Sequence, residues 1–389
     1  MTTPPEFLAA PSLRAVLAAL PNARIAGGAV RDALAGCAVA DIDLATPEPP
    51  DAMIAALRAA GIRPIPTGLA HGTVTAVVGS SSFEITTLRR DVETDGRHAR
   101  VEFTDDWRED AARRDFTINA MSMDRDGRVF DYFGGMDDLA AGRVRFVGDA
   151  ATRIAEDYLR ILRFFRFHSR YGRGEPDAAA VAAIAAAAPH LARLSPERIW
   201  SELKRILAAA TPSEAVHLME ALGVLAVALP GGADPAALDR LLAHAAPPDP
   251  LLRFAALSSD DPEGVAAALR LSGAERYSLI ALRDAPALGP EVDATAIRVA
   301  LADWPREALI GRAWLAHGDH AAIARIEATE APEFPLRGRD LAAAGVAAGR
   351  AMGALLREIR AWWLAGGCIA DAAACRAELA RRLGGVSVA

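Results

Sequence analysis

The sequence predicts an α+β fold: a head with a small mixed sheet, followed by an all-helical neck, body and tail. Three observations carry this reading. Between Ala23 and about Gly148, short β-branched runs alternate with helical stretches. Glycines mark the edges of those runs at Gly27, Gly28, Gly61, Gly72, Gly79, Gly134 and Gly135. Beyond Gly148 strand patterns nearly vanish, and helical periodicity continues with breaks at Pro189, Pro212, Pro230, Pro247–Pro248, Pro290 and Pro335. At roughly 100–200 residues per domain, the 389 residues suggest two to four domains. The expected division is head 1–149, neck 150–214, body 215–330 and tail 331–389.

Taken in order, the expected strands are Arg24–Ala26, Asp41–Ala45, Thr73–Val78, Phe83–Leu88, Arg128–Tyr132 and Arg143–Val147. The expected helices of the head are Val30–Leu34, Asp51–Ala59 and Asp106 to about Met121.

Composition narrows the class. A chain that is 52% hydrophobic and 24% charged reads as globular and excludes wholesale disorder. Lys204 is the only lysine among 43 basic residues, and 50 acids bring the formal net charge to −7. An arginine excess in an alanine-rich chain follows from a GC-rich genome, so only the position of an arginine carries information. Three scattered cysteines build neither a disulfide framework nor a zinc site, which points to a reducing cytoplasm. The N-terminal stretch does not read as a signal peptide. The longest apolar runs, Ala178–Ala188 and Ala221–Leu229, fall short of the roughly 20 residues that span a bilayer. No membrane role and no obligate protein partner are expected.

Four segments carry chemistry. Gly27-Gly28-Ala29-Val30-Arg31-Asp32 enters a helix directly after a strand. Glycine there lets backbone N–H groups approach a phosphate, although such a turn can also be only a turn. Asp41-Ile42-Asp43 lies in an expected strand, whose period of two sends both carboxylates to one face. Two crowded carboxylates suit a shared Mg²⁺, or they mark a solvated strand end. Glu84 alternates with Phe83 and Ile85, so it either points to the same pocket or decorates an exposed face. In Arg113-Arg114-Asp115-Phe116-Thr117-Ile118-Asn119-Ala120, Asp115 and Asn119 are expected four apart on one helix face. That polar row reads a ribose hydroxyl or forms a surface network. In Glu156-Asp157-Tyr158-Leu159-Arg160-Ile161-Leu162-Arg163, Asp157, Arg160 and Arg163 are expected along one helical face. That row is otherwise a solvated helix face.

The four motifs occur in this order at familiar spacing, and together the chain resembles the class II tRNA nucleotidyltransferases. These CCA-adding enzymes share ancestry with bacterial poly(A) polymerases. His71-Gly72-Thr73-Val74-Thr75 and Glu84-Ile85-Thr86-Thr87-Leu88-Arg89 support the resemblance, as does the tail segment Leu336-Arg337-Gly338-Arg339-Asp340-Leu341. Residues of about 215–330 add little signature.

The resemblance implies an enzyme that adds C, C and A to the 3′ end of tRNA from CTP and ATP without a nucleic-acid template, releasing pyrophosphate. It implies that Asp41 and Asp43 bind Mg²⁺ with Glu84 as a third carboxylate, in a two-metal displacement at the α-phosphate. Gly28 and Arg31 would hold the triphosphate. Arg114, Asp115 and Asn119 would read the ribose, with the choice between Arg113 and Arg114 left open. Asp157 and Arg160, with Arg163 beside them, would form a protein template for the base. An acceptor-only Asp and a donor-only Arg match the N–H donor and ring-nitrogen acceptor of cytosine and adenine. Uracil and guanine present the reversed pattern.

The negative net charge hides a basic neck: between Arg153 and Arg205, ten basic residues face six acidic ones. Such a surface is compatible with RNA. Rival readings are a poly(A) polymerase, a CC-only or A-only enzyme, and an inactive RNA-binding homologue. Arg90–Arg100 lies where CCA-adding relatives carry a flexible loop, which weighs against the CC-only reading.

Overall fold

The computed structural model describes residues 4–94, 99–258 and 261–384. The chain divides into two compact units, Met1–Pro230 and Gly231–Ala389.

The first unit opens with helix α1 (Pro11–Ala19), strand β1 (Arg24–Ala26), helix α2 (Gly28–Leu34), strand β2 (Asp43–Thr46) and helix α3 (Pro50–Ala59). Strands β3 (Arg63–Gly68), β4 (Thr73–Val78) and β5 (Ser81–Thr87) follow, then the ribbon β6 (Arg89–Thr94) and β7 (Ala99–Phe103). Helix α4 (Trp107–Ala112), strands β8 (Ser122–Met123) and β9 (Val129–Phe130) and helix α5 (Gly135–Ala141) complete the head. The main sheet has the order β3-β4-β5-β2-β1-β8-β9. It is mixed: β2 and β5 pair in parallel, while the other neighbours pair antiparallel. Alternation along the strands buries Ile25, Leu44, Val74, Ala76 and Ile85 against Val30, Met53 and Leu57 of α2 and α3. That leaves the other face of β2 and β5 for polar side chains.

Several expectations need correction. No continuous helix spans Asp106–Met121: α4 ends at Ala112, and Thr117–Asn119 is a single 3₁₀ turn. The reason is burial. Phe116 and Ile118 are both fully enclosed, which a helix through them could not achieve because it would point them to different faces. Phe116 instead takes an extended backbone and bridges Phe146. Its ring packs 4.7 Å from that of Phe146, 6.3 Å from Phe164 and 5.3 Å from Phe167. The same isolated bridge is all that forms of the expected strand Arg143–Val147. Strand β2 starts at Asp43, so Asp41 precedes it. Strand β3, the β6–β7 ribbon and β8 were not foreseen, since proline in β3 and the brevity of β8 hide them. The loop expected over Arg90–Arg100 lies partly outside the described residues.

After the head come α6 (Ala150–Glu156), α7 (Leu159–Tyr171), α8 (Ala178–Ala187), α9 (Pro196–Leu207), α10 (Ser213–Ala221) and α11 (Val224–Ala228). Among these, α7 buries Ile161, Leu162, Phe164, Phe165 and Phe167, and α9 buries a stripe of Ile199, Leu203 and Ile206.

The second unit is helical in its described residues apart from an isolated bridge between Ala233 and Ser258. Its helix starts repeat one local device. Asp234, Asp249 and Asp261 each precede a proline in the first turn and accept hydrogen bonds from backbone amides just beyond it, at 2.7–2.9 Å. At its C-terminal end Leu336, Leu341, Ile359, Trp363, Cys375 and Leu379 form one core.

Candidate active site

The Asp-x-Asp segment and Glu84 come together on the adjacent central strands β2 and β5. Asp43 and Glu84 are Cα partners in the parallel register of β2 and β5, and Asp41 lies two residues ahead of Asp43. All three residues are exposed. The Asp43 carboxyl is pushed above its ordinary range, first by partial desolvation, then by the negative charges of Glu84 and Asp41, with Arg114 opposing them. No group of three or more His, Cys, Asp or Glu side chains forms a metal cage among the described residues.

Beside these carboxylates is a pocket whose wall includes Gly27, Gly28, Asp43, Glu84, Arg113 and Arg114, with Asp110 beneath. The left-handed backbone at Gly27 favours glycine there. Its φ is +67°, and a Cβ would lie 2.7 Å from an Arg114 guanidinium nitrogen. Both Arg113 and Arg114 line the pocket. Asp110, buried beneath them, accepts from each. Burial works to raise its pKa, but Arg114 and Arg113 outweigh it and hold the carboxyl below the ordinary range. Sequence reasoning missed Asp110, although its spacing of three and four from the two arginines was a visible cue.

The predicted ribose-reading residues are brought together by the 3₁₀ turn. Asn119 Nδ2 donates to Asp115 Oδ1 at 3.0 Å, and Arg163 Nε donates to Asp115 Oδ2 at 2.6 Å. Asp115 is buried, and Arg163 and these hydrogen bonds overcome desolvation to keep its carboxyl below the ordinary range. Arg31 is also buried. Its guanidinium donates to Asn119 Oδ1 at 2.5 Å and to Asp32 Oδ1 at 2.9 Å, and it lies over the rings of Phe167 and Tyr171. Tyr171 OH donates to the same Asp32 oxygen. A closed chain of polar contacts thus runs from Arg163 through Asp115, Asn119, Arg31 and Asp32 to Tyr171, eight residues along α7. Nothing local in the sequence announces the Asp32–Tyr171 link, which joins residues 139 apart.

Asp157 and Arg160 do not share a helical face. Asp157 sits in extended backbone between α6 and α7, and its side chain caps Leu159 N–H at 3.0 Å. An aspartate satisfying the free amide of a helix start ends one helix and begins the next. Its other oxygen accepts from Arg198 at 2.8 Å. Arg160 donates to Glu156 Oε2 at 2.6 Å and to the Arg113 carbonyl at 3.3 Å. The latter contact connects the start of α7 to the wall of the pocket. Arg198 and Glu156 thus engage the side chains of Asp157 and Arg160.

A mixed sheet carrying carboxylates beside a Gly-Gly turn and an arginine-lined pocket, with a polar helix start alongside, defines a nucleotidyltransferase head joined to a helical neck. The Poly A polymerase head domain family matches residues 23–145, and the family described as "Probable RNA and SrmB- binding site of polymerase A" matches residues 175–234. The mitochondrial CCA tRNA nucleotidyltransferase 1 of Mus musculus is 40% identical over 356 residues, covering 87% of this chain and 82% of that protein. The human protein of the same name is also 40% identical, with the same coverage. The CCA-adding enzyme of Bacillus stearothermophilus, solved in complex with CTP, superposes with a TM-score of 0.74 at 26% identity, over 92% of this chain and 94% of that one. The chain belongs to the CCA tRNA nucleotidyltransferase family. No helix among the described residues is long and apolar enough to cross a membrane.

Proposed function

We propose that this chain adds C, C and A to the 3′ end of tRNA from CTP and ATP, releasing pyrophosphate. The observation that carries this is the 40% identity to CCA tRNA nucleotidyltransferases over 82% of their length. The carboxylates, pocket and neck motif are all present within that span.

Asp41, Asp43 and Glu84 would hold Mg²⁺, whose positive charge would offset the repulsion among the three carboxylates. When bound, Mg²⁺ supplies charge neutralisation at the α-phosphate and lowers the pKa of the attacking 3′-hydroxyl. The Gly28 backbone and the arginines of the pocket bind the phosphates. Arg31, enclosed between Asn119 and Asp32, supports the turn that presents them. Asp115, Asn119 and Arg163 set the ribose end of the site.

Asp157 and Arg160 select the base. A carboxylate oxygen accepts more than one hydrogen bond, so Asp157 can hold Arg198 and still accept from an exocyclic amine. Arg160, steered by Glu156, donates to the ring nitrogen beside it. Uracil and guanine would set an N–H against the guanidinium and a carbonyl against the carboxylate, leaving buried groups unpaired. We keep the division into head, neck, body and tail, with neck and tail contacting tRNA through arginines such as Arg337 and Arg339. The cysteines Cys37, Cys368 and Cys375 are free thiols, which fits a reducing compartment, and we place the protein in the cytoplasm. The mouse, human and Danio rerio relatives are named as mitochondrial.

The head-domain match to poly(A) polymerase favours a second reading, repeated A addition. One experiment separates them. Transcripts ending at the discriminator base, at the first C or at the second C are incubated with each nucleotide singly and together. Stops at CC with CTP alone, and at CCA with both, are expected. A long A tail, or arrest at CC with both nucleotides, would overturn the assignment.

A further inference from the structure

Adjacent arginines repel each other, and successive residues at a helix end point in directions about 100° apart. Yet Arg113 and Arg114 line one pocket with Asp43 and Glu84. What gathers them is Asp110, one turn earlier in α4 and 3% exposed. Its Oδ1 accepts from Arg113 Nε at 2.9 Å, and its Oδ2 accepts from Arg114 at 3.2 Å. The Arg89 backbone N–H approaches Oδ1 at 3.4 Å and ties the carboxylate to β6. The other arm of Arg114 reaches the Asn119 carbonyl at 3.3 Å and lies against the bare Cα of Gly27. The arginine side chains remain 20% and 23% exposed, so each keeps an open edge toward the pocket. One buried anion beneath two cations leaves a net positive charge, with both planar forks in fixed orientation.

We propose that Asp110 is a positioning residue for phosphate recognition: it holds Arg113 and Arg114 as a double fork on the triphosphate of the incoming nucleotide without touching that nucleotide itself. The inference rests on the nucleotide-addition reading above. It also answers which of the two arginines faces the ligand: both do, through one carboxylate. The triphosphate is common to CTP and ATP, so Asp110 acts equally on both and takes no part in choosing the base. Inorganic pyrophosphate, lacking base and ribose, engages the same fork.

The test titrates inorganic pyrophosphate in the presence of Mg²⁺ into the full chain by calorimetry, and measures KM and kcat for CTP and ATP. For Asp110→Asn, the pyrophosphate dissociation constant and both KM values should rise together by roughly tenfold or more, the loss of a charge-assisted hydrogen bond. The preference for CTP over UTP should stay as in the wild type. Constants within twofold of wild type in the folded variant, or a change for one nucleotide alone, would overturn the proposal. Should Asp110→Asn not fold, Asp110→Glu is combined with Arg114→Gln. Additive effects on pyrophosphate binding overturn the proposal, and coupling beyond twofold supports it. Calorimetry needs neither tRNA nor turnover. A wild type that binds pyrophosphate but extends no tRNA therefore sinks the functional reading alone.

Discussion

Two sets of aspartates in the head, built from the same side chain, behave in opposite ways. Asp110 and Asp115 are buried, and each is held by one or two arginines below the ordinary carboxylate range. Asp43 is exposed beside Glu84 and Asp41, and like charge together with partial desolvation pushes it above that range. The charge of the first set is already satisfied inside the protein, by Arg113 and Arg114 at Asp110 and by Arg163 at Asp115. The second gathers like charge that Arg114 offsets only in part. At Asp110 and Asp115 the neighbouring arginines outweigh desolvation, whereas at Asp43 like charge adds to it.

The comparison breaks most sharply at Asp43. Asp43→Ala should lower nucleotide incorporation by about 10³-fold or more, since several kcal/mol of charge stabilisation is lost. Its thermal midpoint should stay level or rise, because repulsion with Glu84 and Asp41 is relieved. Primer-extension rates and a thermal melt check both halves, and an active Asp43→Ala would remove the metal assignment. Asp115→Asn should do the reverse for stability, costing about 3 kcal/mol by leaving Arg163 without its charged partner.

Acid sharpens the same contrast. Asp115 and Asp110 have native pKa values below those of the unfolded chain, so their contribution is complete above about pH 4. It is lost as pH falls through the depressed native values. Asp43 contributes with the opposite sign, because the native state holds its proton more tightly than the unfolded chain does. Thermal midpoints measured from pH 7 to pH 3 should therefore drop for the wild type below about pH 4. The drop should be shallower in Asp115→Asn, and equal slopes would show that Asp115 is not a main source of acid sensitivity.

Smaller effects are expected where α7 meets the head. Arg160→Ala should narrow the preference for CTP over UTP by roughly tenfold or more, measured as a ratio of kcat/KM values. Unchanged selectivity would remove the protein-template reading. Tyr171→Phe deletes the donor to Asp32 at the far end of the polar chain. The phenol's pKa is pushed up to about 12 by burial and by that carboxylate, so it is a proton donor throughout the neutral range. The variant should lose about 1.5 kcal/mol of stability by denaturant unfolding, with base preference intact. A midpoint equal to that of the wild type would mean the link carries no net energy.

Much of this was legible in the order of the motifs. Gly27-Gly28, Asp41-x-Asp43, Arg113-Arg114-Asp115 and Asp157-x-x-Arg160 each depend on residues close in sequence, and strands such as Arg24–Ala26 and Thr73–Val78 formed where alternation placed them. Local patterning failed wherever a long-range contact overrode it. The helix expected through Asp106–Met121 gave way because Phe116 and Ile118 had to enter a core shared with Phe146 and Phe164. Asp157 left its expected helical face to cap α7 and meet Arg198 from α9.

The sequence by itself determined the family and the change from an α+β head to a helical remainder, because residue type and short spacing are properties of a single segment. The tertiary structure alone decided which charges are spent and which are available. It enclosed Arg31 between Asn119 and Asp32, placed Asp110 under two arginines, and set Asp43 beside Glu84. Charge satisfaction depends on distances between segments remote in the chain, and those distances exist only once the core has closed.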